Sequence, residues 1–254
     1  MIRVLVSGAA GKMGREVIQA VNQQSDMQIV AGVDPAADTD IQGVELFVNL
    51  DAAIDATKPD VVVDFTHPNA VIENIKTCLA KEISIVVGTT GLNEAELKLL
   101  EVEAKNKDWA AIIVPNFAIG AVLMMRFAKE AAQYFSDVEI IEYHHNEKKD
   151  APSGTAMKTA EIINQHLTAR EPVVDDSFEI IKGAAGAVSG KVRIHSVRLP
   201  GYVAHQEVIF SSLGQNLIIR HDSTHRKSFM PGVLLAIRKL PALKGFVYGL
   251  EQIL

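Results

Sequence analysis

A glycine turn between a buried strand and an amphipathic helix constrains this chain more than any other feature. The apolar run Ile2–Ser7 leads into Gly8-Ala9-Ala10-Gly11-Lys12-Met13-Gly14. Beyond it, Met13, Val17 and Val21 recur four residues apart, which suits one buried face of a helix. Residues 28–33 then read as a second buried strand ending at Asp34-Pro35, with the acid 20 positions after Gly14. Strand, glycine turn, helix and strand with a following acid is the dinucleotide-binding pattern. Gly8 permits the tight turn, Gly11 lets backbone approach a pyrophosphate, and Gly14 lets helix pack on strand. The helix N-terminus favours phosphate through its exposed N–H groups and dipole, and Asp34 is placed to accept hydrogen bonds from an adenosine ribose. The spacing is GxxGxxG rather than GxGxxG, which keeps the second and third glycine roles and alters the first turn. An ordinary glycine turn is the competing reading.

Strand-helix alternation continues. Residues 61–65 are apolar and run through Thr66-His67 into a helix with Pro68 at its first position. Residues 83–87 form another strand, ending at Gly88-Thr89-Thr90-Gly91, and Asn93 with Glu96 suggests a capping box for a helix reaching about Lys107. Residues 110–114 supply a further strand, followed by Pro115-Asn116-Phe117. Successive strand ends carrying polar loops predict a ligand crevice along one edge of a parallel sheet. Thr66, Thr89 and Asn116 are each placed either to contact a dinucleotide or to cap a loop. Cys78 falls in a sheet-packing helix, where burial is expected rather than nucleophilic chemistry.

At 254 residues the chain suffices for one large core or two modest domains. The second half changes character. Residues 118–135 read as a helix with Met124 and Met125 as packing residues, and 137–145 alternate as a strand with Val138, Ile140, Glu142 and His144 on one face. Ser153 is placed to cap the next helix. Residues 183–190 read as a mobile loop, and runs 191–199, 204–212 and 217–222 as antiparallel strands. A final helix starts near Phe229-Met230-Pro231, and the tail either completes a strand or docks on a domain. The formal charge of -6 argues against nonspecific nucleic-acid binding. One cysteine excludes an intrachain disulfide, and neither a signal-like start nor a bilayer-length apolar run occurs, so a cytoplasmic protein without membrane partners is expected.

Chemistry concentrates in residues 142–156, EYHHNEKKDAPSGTA. His144 and His145 are adjacent, so on a strand they point to opposite faces and only one addresses a reaction directly. Lys148 supplies a flexible cation for carboxylate binding or proton transfer. Asp150 either orients it or faces solvent. Ser153, Gly154 and Thr155 offer hydroxyl and backbone donors to a second carboxylate, so the segment suits a small dianion. The alternative is a solvated turn with incidental histidines. Nothing has HExxH-like spacing, and no metal is expected. His221 and His225 are expected on a strand surface or an interface.

With these residues in view, the chain resembles the dihydrodipicolinate reductase family of bacterial lysine and diaminopimelate synthesis along essentially its whole length. The family pattern E-x-HH-x-x-K-x-D-x-PSGTA is matched at every fixed position, and DFTHP, VGTTG and PNFAIG reinforce it. The resemblance implies an α/β protein: an N-terminal Rossmann-like parallel sheet (1–116), a C-terminal α+β mixed-sheet domain for substrate binding and oligomerisation (117–225), and a segment returning to the nucleotide domain (226–254). It implies a homotetramer that uses NADH or NADPH to reduce a cyclic hydroxy dicarboxylate with loss of water. His144 is then the proton donor and Lys148 its charge-stabilising partner. His145 helps bind substrate, and Ser153-Gly154-Thr155 clamp a carboxylate. The dinucleotide falls to Gly8, Ala9, Ala10, Gly11, Lys12, Met13, Gly14 and Asp34, with Phe65, Thr66, Gly88, Thr89, Thr90, Pro115, Asn116, Phe117 and Ala118 at its other end. Pro115 stands where alanine is usual. Family members using NADPH often carry an arginine just beyond the acid; here Pro35, Ala36 and Ala37 follow, with Lys12 the nearby glycine-loop cation, so NADH is expected at least to compete with NADPH. Another small-substrate dehydrogenase and a non-catalytic dinucleotide sensor are the alternatives.

Overall fold

The computed structural model describes residues 1–35, 41, 43–89, 92, 94–105, 107–167 and 178–254. Its first elements are β1 (Ile2–Ser7), α1 (Lys12–Asn22), β2 (Met27–Val33), β3 (Leu46–Phe47), α2 (Leu50–Thr57), β4 (Val61–Asp64), α3 (Pro68–Ala80), β5 (Ser84–Val87), α4 (Glu94–Glu103) and β6 (Ala110–Ile113). There follow α5 (Ile119–Ala131), β7 (Asp137–His144), α6 (Gly154–His166), β8 (Ala187–Ser189), β9 (Val192–Arg198), β10 (Ala204–Ser212) and β11 (Gln215–Ser223). The chain finishes with α7 (Met230–Lys239) and β12 (Gly245–Tyr248). Met1–Ile119 together with Arg226–Leu254 forms one compact unit, and Gly120–His225 forms another.

In the first unit seven parallel strands run β12-β6-β5-β4-β1-β2-β3. Strand order reverses beside β1, so the loops after β1 and β4 open where such sheets bind ligands. Every residue of β4, Val-Val-Val-Asp, is buried, as in a strand covered on both faces. Trp109, 1% exposed, anchors the core end of the sheet; its indole N–H donates to the Ile83 carbonyl at 2.8 Å and its ring meets Phe246 edge-on. The tail therefore completes a strand, β12, beside β6. Arg238 of α7 grips Asp26 through two nitrogens, at 2.8 and 3.0 Å, and donates to Gln24.

The second unit is a mixed sheet ordered β11-β10-β7-β9-β8. Its core joins Met124 and Ala128 of α5 and Ala160 and Ile163 of α6 to Ile140, Ile194, Val208 and Phe210 of the sheet, with Met125 packed alongside.

Three expectations are corrected here. The run expected antiparallel at 191–199 pairs parallel to β7 as β9, because the long connection through α6 supplies the crossover that parallel strands need. Part of the expected mobile loop 183–190 is strand β8, held antiparallel to β9 across Gly190 at φ +64°. Helices expected to reach about 107 and 135 stop at Glu103 and Ala131, each passing into a turn. The capping residue expected at Asn93 lies outside the described residues.

Candidate active site

The dinucleotide end is built at the carboxyl edge of the parallel sheet. Gly8 sits at φ +80°, and a Cβ there would lie 2.3 Å from the Phe65 carbonyl oxygen. A Cβ on Gly14 would lie 2.1 Å from the Gly8 carbonyl oxygen, so both positions exclude any larger residue. The Gly8 and Ala9 N–H groups donate to Val33. Gly11 caps α1 without a side-chain hydrogen bond, and no acidic residue occupies the first turn, which includes exposed Lys12 and half-buried Met13. Beyond these loop bonds, the N–H groups of the first turn of α1, from Lys12 to Gly14, suit a pyrophosphate. Asp34 accepts a hydrogen bond from the Ala10 N–H at 2.9 Å, bracing the glycine loop from the end of β2.

The neighbouring loops close up beside it. Phe65 follows β4, and its ring stands 5.6 Å from that of Phe117. Gly88 follows β5, and a Cβ there would strike the Phe65 ring at 2.1 Å. Thr66 and Thr89 donate their hydroxyls to Asp64 at 2.8 and 2.7 Å, which makes them loop braces. Asn116 likewise accepts from the Ala118 N–H at 2.9 Å, closing the turn that starts at exposed Pro115. Thr90 lies outside the described residues. Asp64 and Asn74 escaped the sequence reading. Asp64 is fully buried and also takes the Asn74 amide at 2.7 Å, tying α3 to both loops. A carboxylate closing an otherwise apolar strand was the available signal.

In the second unit Glu142, His144, Ser153 and Arg198 form one cluster. Glu142 is fully buried. Arg198 clamps it with two N–H···O bonds of 2.9 and 2.7 Å, the Ser153 N–H donates to it at 3.2 Å, and it is paired with Nδ1 of His144. Burial would push the Glu142 carboxyl up, but hydrogen bonds from His144, Arg198 and Ser196 prevail and hold it at about 2. Arg198 was not anticipated; it lies 56 residues from Glu142, and only the β7-β9 register brings it opposite His144.

The remaining site residues flank this cluster. Ser153 caps α6, its hydroxyl oxygen accepting from the Ala156 N–H at 3.2 Å. A Cβ on Gly154 would meet nothing within 4 Å, so open space fronts the start of α6, where Thr155 follows. Half-buried His145 leaves β7, and its carbonyl accepts the Lys148 N–H. The Lys148 ammonium donates to both oxygens of Asp150, at 2.8 and 2.9 Å, and holds that carboxyl below the ordinary range. A cation, an imidazole and a helix start thus share one strand end, an arrangement able to bind a small anion and exchange a proton.

Elsewhere, Cys78 is buried and its thiol pushed up by desolvation, as its helix position predicted. His221 is half-buried on β11 beside Gly120, and burial lowers its pKa. Among the described residues no cluster of three metal-ligating side chains occurs, and no helix is long and apolar enough to cross a membrane.

Two family profiles match the chain in succession: "Dihydrodipicolinate reductase, N-terminus" over residues 2–117 and "Dihydrodipicolinate reductase, C-terminus" over 120–254. The 4-hydroxy-tetrahydrodipicolinate reductase of Syntrophomonas wolfei is 51% identical across 99% of this chain and 98% of its own length. That of Listeria welshimeri is 48% identical across all of both chains. The solved dipicolinate-bound dihydrodipicolinate reductase of Paenisporosarcina sp. TG-14 superimposes with a TM-score of 0.92 at 43% identity, covering both chains completely. Matched in order through both halves and aligned end to end with such relatives, this chain belongs to the dihydrodipicolinate reductase family.

Proposed function

We propose that this chain reduces 4-hydroxy-tetrahydrodipicolinate to tetrahydrodipicolinate, with loss of water and consumption of NAD(P)H, in lysine and diaminopimelate biosynthesis. The observation that carries the reading is the grouping of His144, Lys148 and the open start of α6 around one strand end. The Paenisporosarcina relative binds dipicolinate, a flat ring with two carboxylates. A substrate of that shape needs two anion contacts and one proton donor.

The glycine loop Gly8, Ala9, Ala10, Gly11, Lys12, Met13 and Gly14 holds the pyrophosphate, and Asp34 faces the adenosine ribose. Phe65, Thr66, Gly88, Thr89, Thr90 and the 115–118 turn form the nicotinamide end. When bound, the dinucleotide supplies the hydride. His144 protonates the reacting ring system through Nε2, since Nδ1 is engaged by Glu142. The N–H groups of Gly154 and Thr155, with the Ser153 hydroxyl, take one carboxylate. Lys148 takes charge from the other side, releasing Asp150, an exposed partner that costs little to give up. His145 supplies a further substrate contact.

NADH at least competes with NADPH, because Asp34 is followed by Pro35, Ala36 and Ala37 with no arginine to receive a 2′-phosphate. The assembly is a cytoplasmic homotetramer, supported by apolar Ile218, 57% exposed on β11. Sedimentation as a monomer would oppose that assembly.

The function is tested by generating the hydroxy dicarboxylate in situ with its upstream synthase and following NADH and NADPH oxidation separately. Synthase-dependent turnover, lowered at least roughly 100-fold in His144→Ala and Lys148→Ala, is expected. No turnover with either coenzyme, from folded protein that binds nucleotide, would refute it. A kcat/KM favouring NADPH by orders of magnitude would refute the coenzyme reading alone.

A further inference from the structure

We propose that Glu142 is the positioning residue of this site, one buried carboxylate that sets the ring of His144 through one oxygen and the Ser153 turn through the other. The role rests on reading His144 as the proton donor.

A carboxylate sealed from water is costly unless every lone pair finds a donor. Glu142 meets that demand with donors from three elements. Arg198 of β9 contributes two parallel bonds, α6 contributes the Ser153 N–H to Oε1, and β7 itself contributes His144 to Oε2. Such bidentate clamping fixes orientation as well as charge. Arg198 is fixed in turn by the carbonyls of Val197 and Asp150, each at 2.8 Å. The parallel register sets His144 opposite Arg198 and Glu142 opposite Ser196, so the cluster is a property of strand pairing.

The geometry has a chemical consequence. An acceptor-only partner at Nδ1 selects the tautomer that carries its proton there, leaving Nε2 as the ring nitrogen that exchanges protons. The same carboxylate stabilises the ring when Nε2 also carries a proton. Its other oxygen sets the first turn of α6, so proton donor and carboxylate clamp share one anchor. Glu142 lies on the ring's own strand and Arg198 on β9; Asp150, bonded to Lys148, joins through its carbonyl. Across β10, Ala204 lies opposite His144, with His205 beside it. Packed against the cluster from α6 is the Ser153 N–H.

Glu142→Gln in the full-length protein tests the assignment. The amide presents N–H groups to both Arg198 and His144, removing the support for the doubly protonated ring. A general acid must be protonated, so the basic limb of kcat/KM is expected to move to lower pH. The kcat should fall roughly 10- to 100-fold, while dinucleotide affinity, read by NADH fluorescence, stays unchanged. A limb that does not move overturns the proposal. If the variant does not fold, the wild type still decides. Selective 15N-histidine labelling, assigned with His144→Gln, should find the neutral ring protonated on Nδ1; a proton on Nε2 overturns the proposal. Arg198→Lys, which keeps the charge and loses the bidentate clamp, should lower kcat by less than Glu142→Gln. The labelling experiment needs no substrate, so failure of the assigned reaction and failure of the Glu142 role are separable.

Discussion

Replacing Asp64 should loosen the nicotinamide-side loops by an amount set by how many donors each substitute can serve. Asp64 Oδ1 accepts from the Thr66 N–H at 3.1 Å, the Thr66 hydroxyl at 2.8 Å and the Thr89 hydroxyl at 2.7 Å, while Oδ2 accepts the Asn74 amide at 2.7 Å. Asp64→Ala strands all of these donors at once. An unsatisfied buried donor costs about 1–3 kcal/mol, and rotation of the two hydroxyls recovers part of that, so a loss of roughly 3–5 kcal/mol is expected. Asp64→Asn keeps the oxygen that serves three of the four bonds. Its new amide opposes Asn74 Nδ2, and turning the Asn74 amide over restores the fourth, so about 1 kcal/mol is expected. Hydrogen exchange read by mass spectrometry over 61–66 and 84–89 gives the local measure. Since about 1.4 kcal/mol is a tenfold change, Asp64→Ala should lose roughly two to four orders of magnitude of protection and Asp64→Asn less than about tenfold. Equal losses in the two variants, or an Asp64→Ala protein protected like the wild type, would refute the accounting.

Two further outcomes follow from the geometry. Glu142, held at about 2 against an ordinary 4.5, adds stability that is complete above the ordinary value and is lost as pH falls from there toward 2. Glu142→Gln should therefore flatten the acid-side fall in hydrogen-exchange protection of β7 and α6, and an unchanged slope would count against the cluster. Gly14→Ala forces a methyl to within 2.1 Å of the Gly8 carbonyl oxygen, so it should cost about 1–3 kcal/mol and weaken NADH binding at least roughly tenfold. Wild-type affinity in that variant would show that the loop yields freely.

What the sequence made legible was local. The turn from Gly8 to Gly14, Pro68 opening α3 and Ser153 capping α6 each depend on residues within a few positions of one another. His144 and Glu142 were assigned to one strand face by period-two alternation, and β7 has that burial pattern. What stayed hidden depends on strand register. Arg198 reaches Glu142 only because β9 runs parallel to β7, and a reading of three successive antiparallel strands places it differently. Asp64 looked like the end of an apolar run because its partners come from a later turn of α3 and from the loop after β5. Segment 46–57 went unassigned, since a two-residue strand is too short to show alternation and α2 is only eight residues long, although Asn49 caps it. Strand β8 was obscured by Gly183, Gly186 and Gly190, whose positive φ angles shape the turns around it.

The interrupted first unit bears on the order in which a ribosome delivers the parts. Residues 120–225 are synthesised before Arg226–Leu254, so every strand of the second sheet precedes α7 and β12 of the first in the order of synthesis. During that interval β6 is an open edge, and the Trp109 ring has no Phe246 to pack against. Domains generally fold as units during synthesis. Here the inserted unit has all its residues first, and the nucleotide sheet gains β12 only after them. A nascent chain arrested before Gly245 therefore exposes an unpaired parallel strand, the kind of edge on which holdase chaperones and misassembly compete.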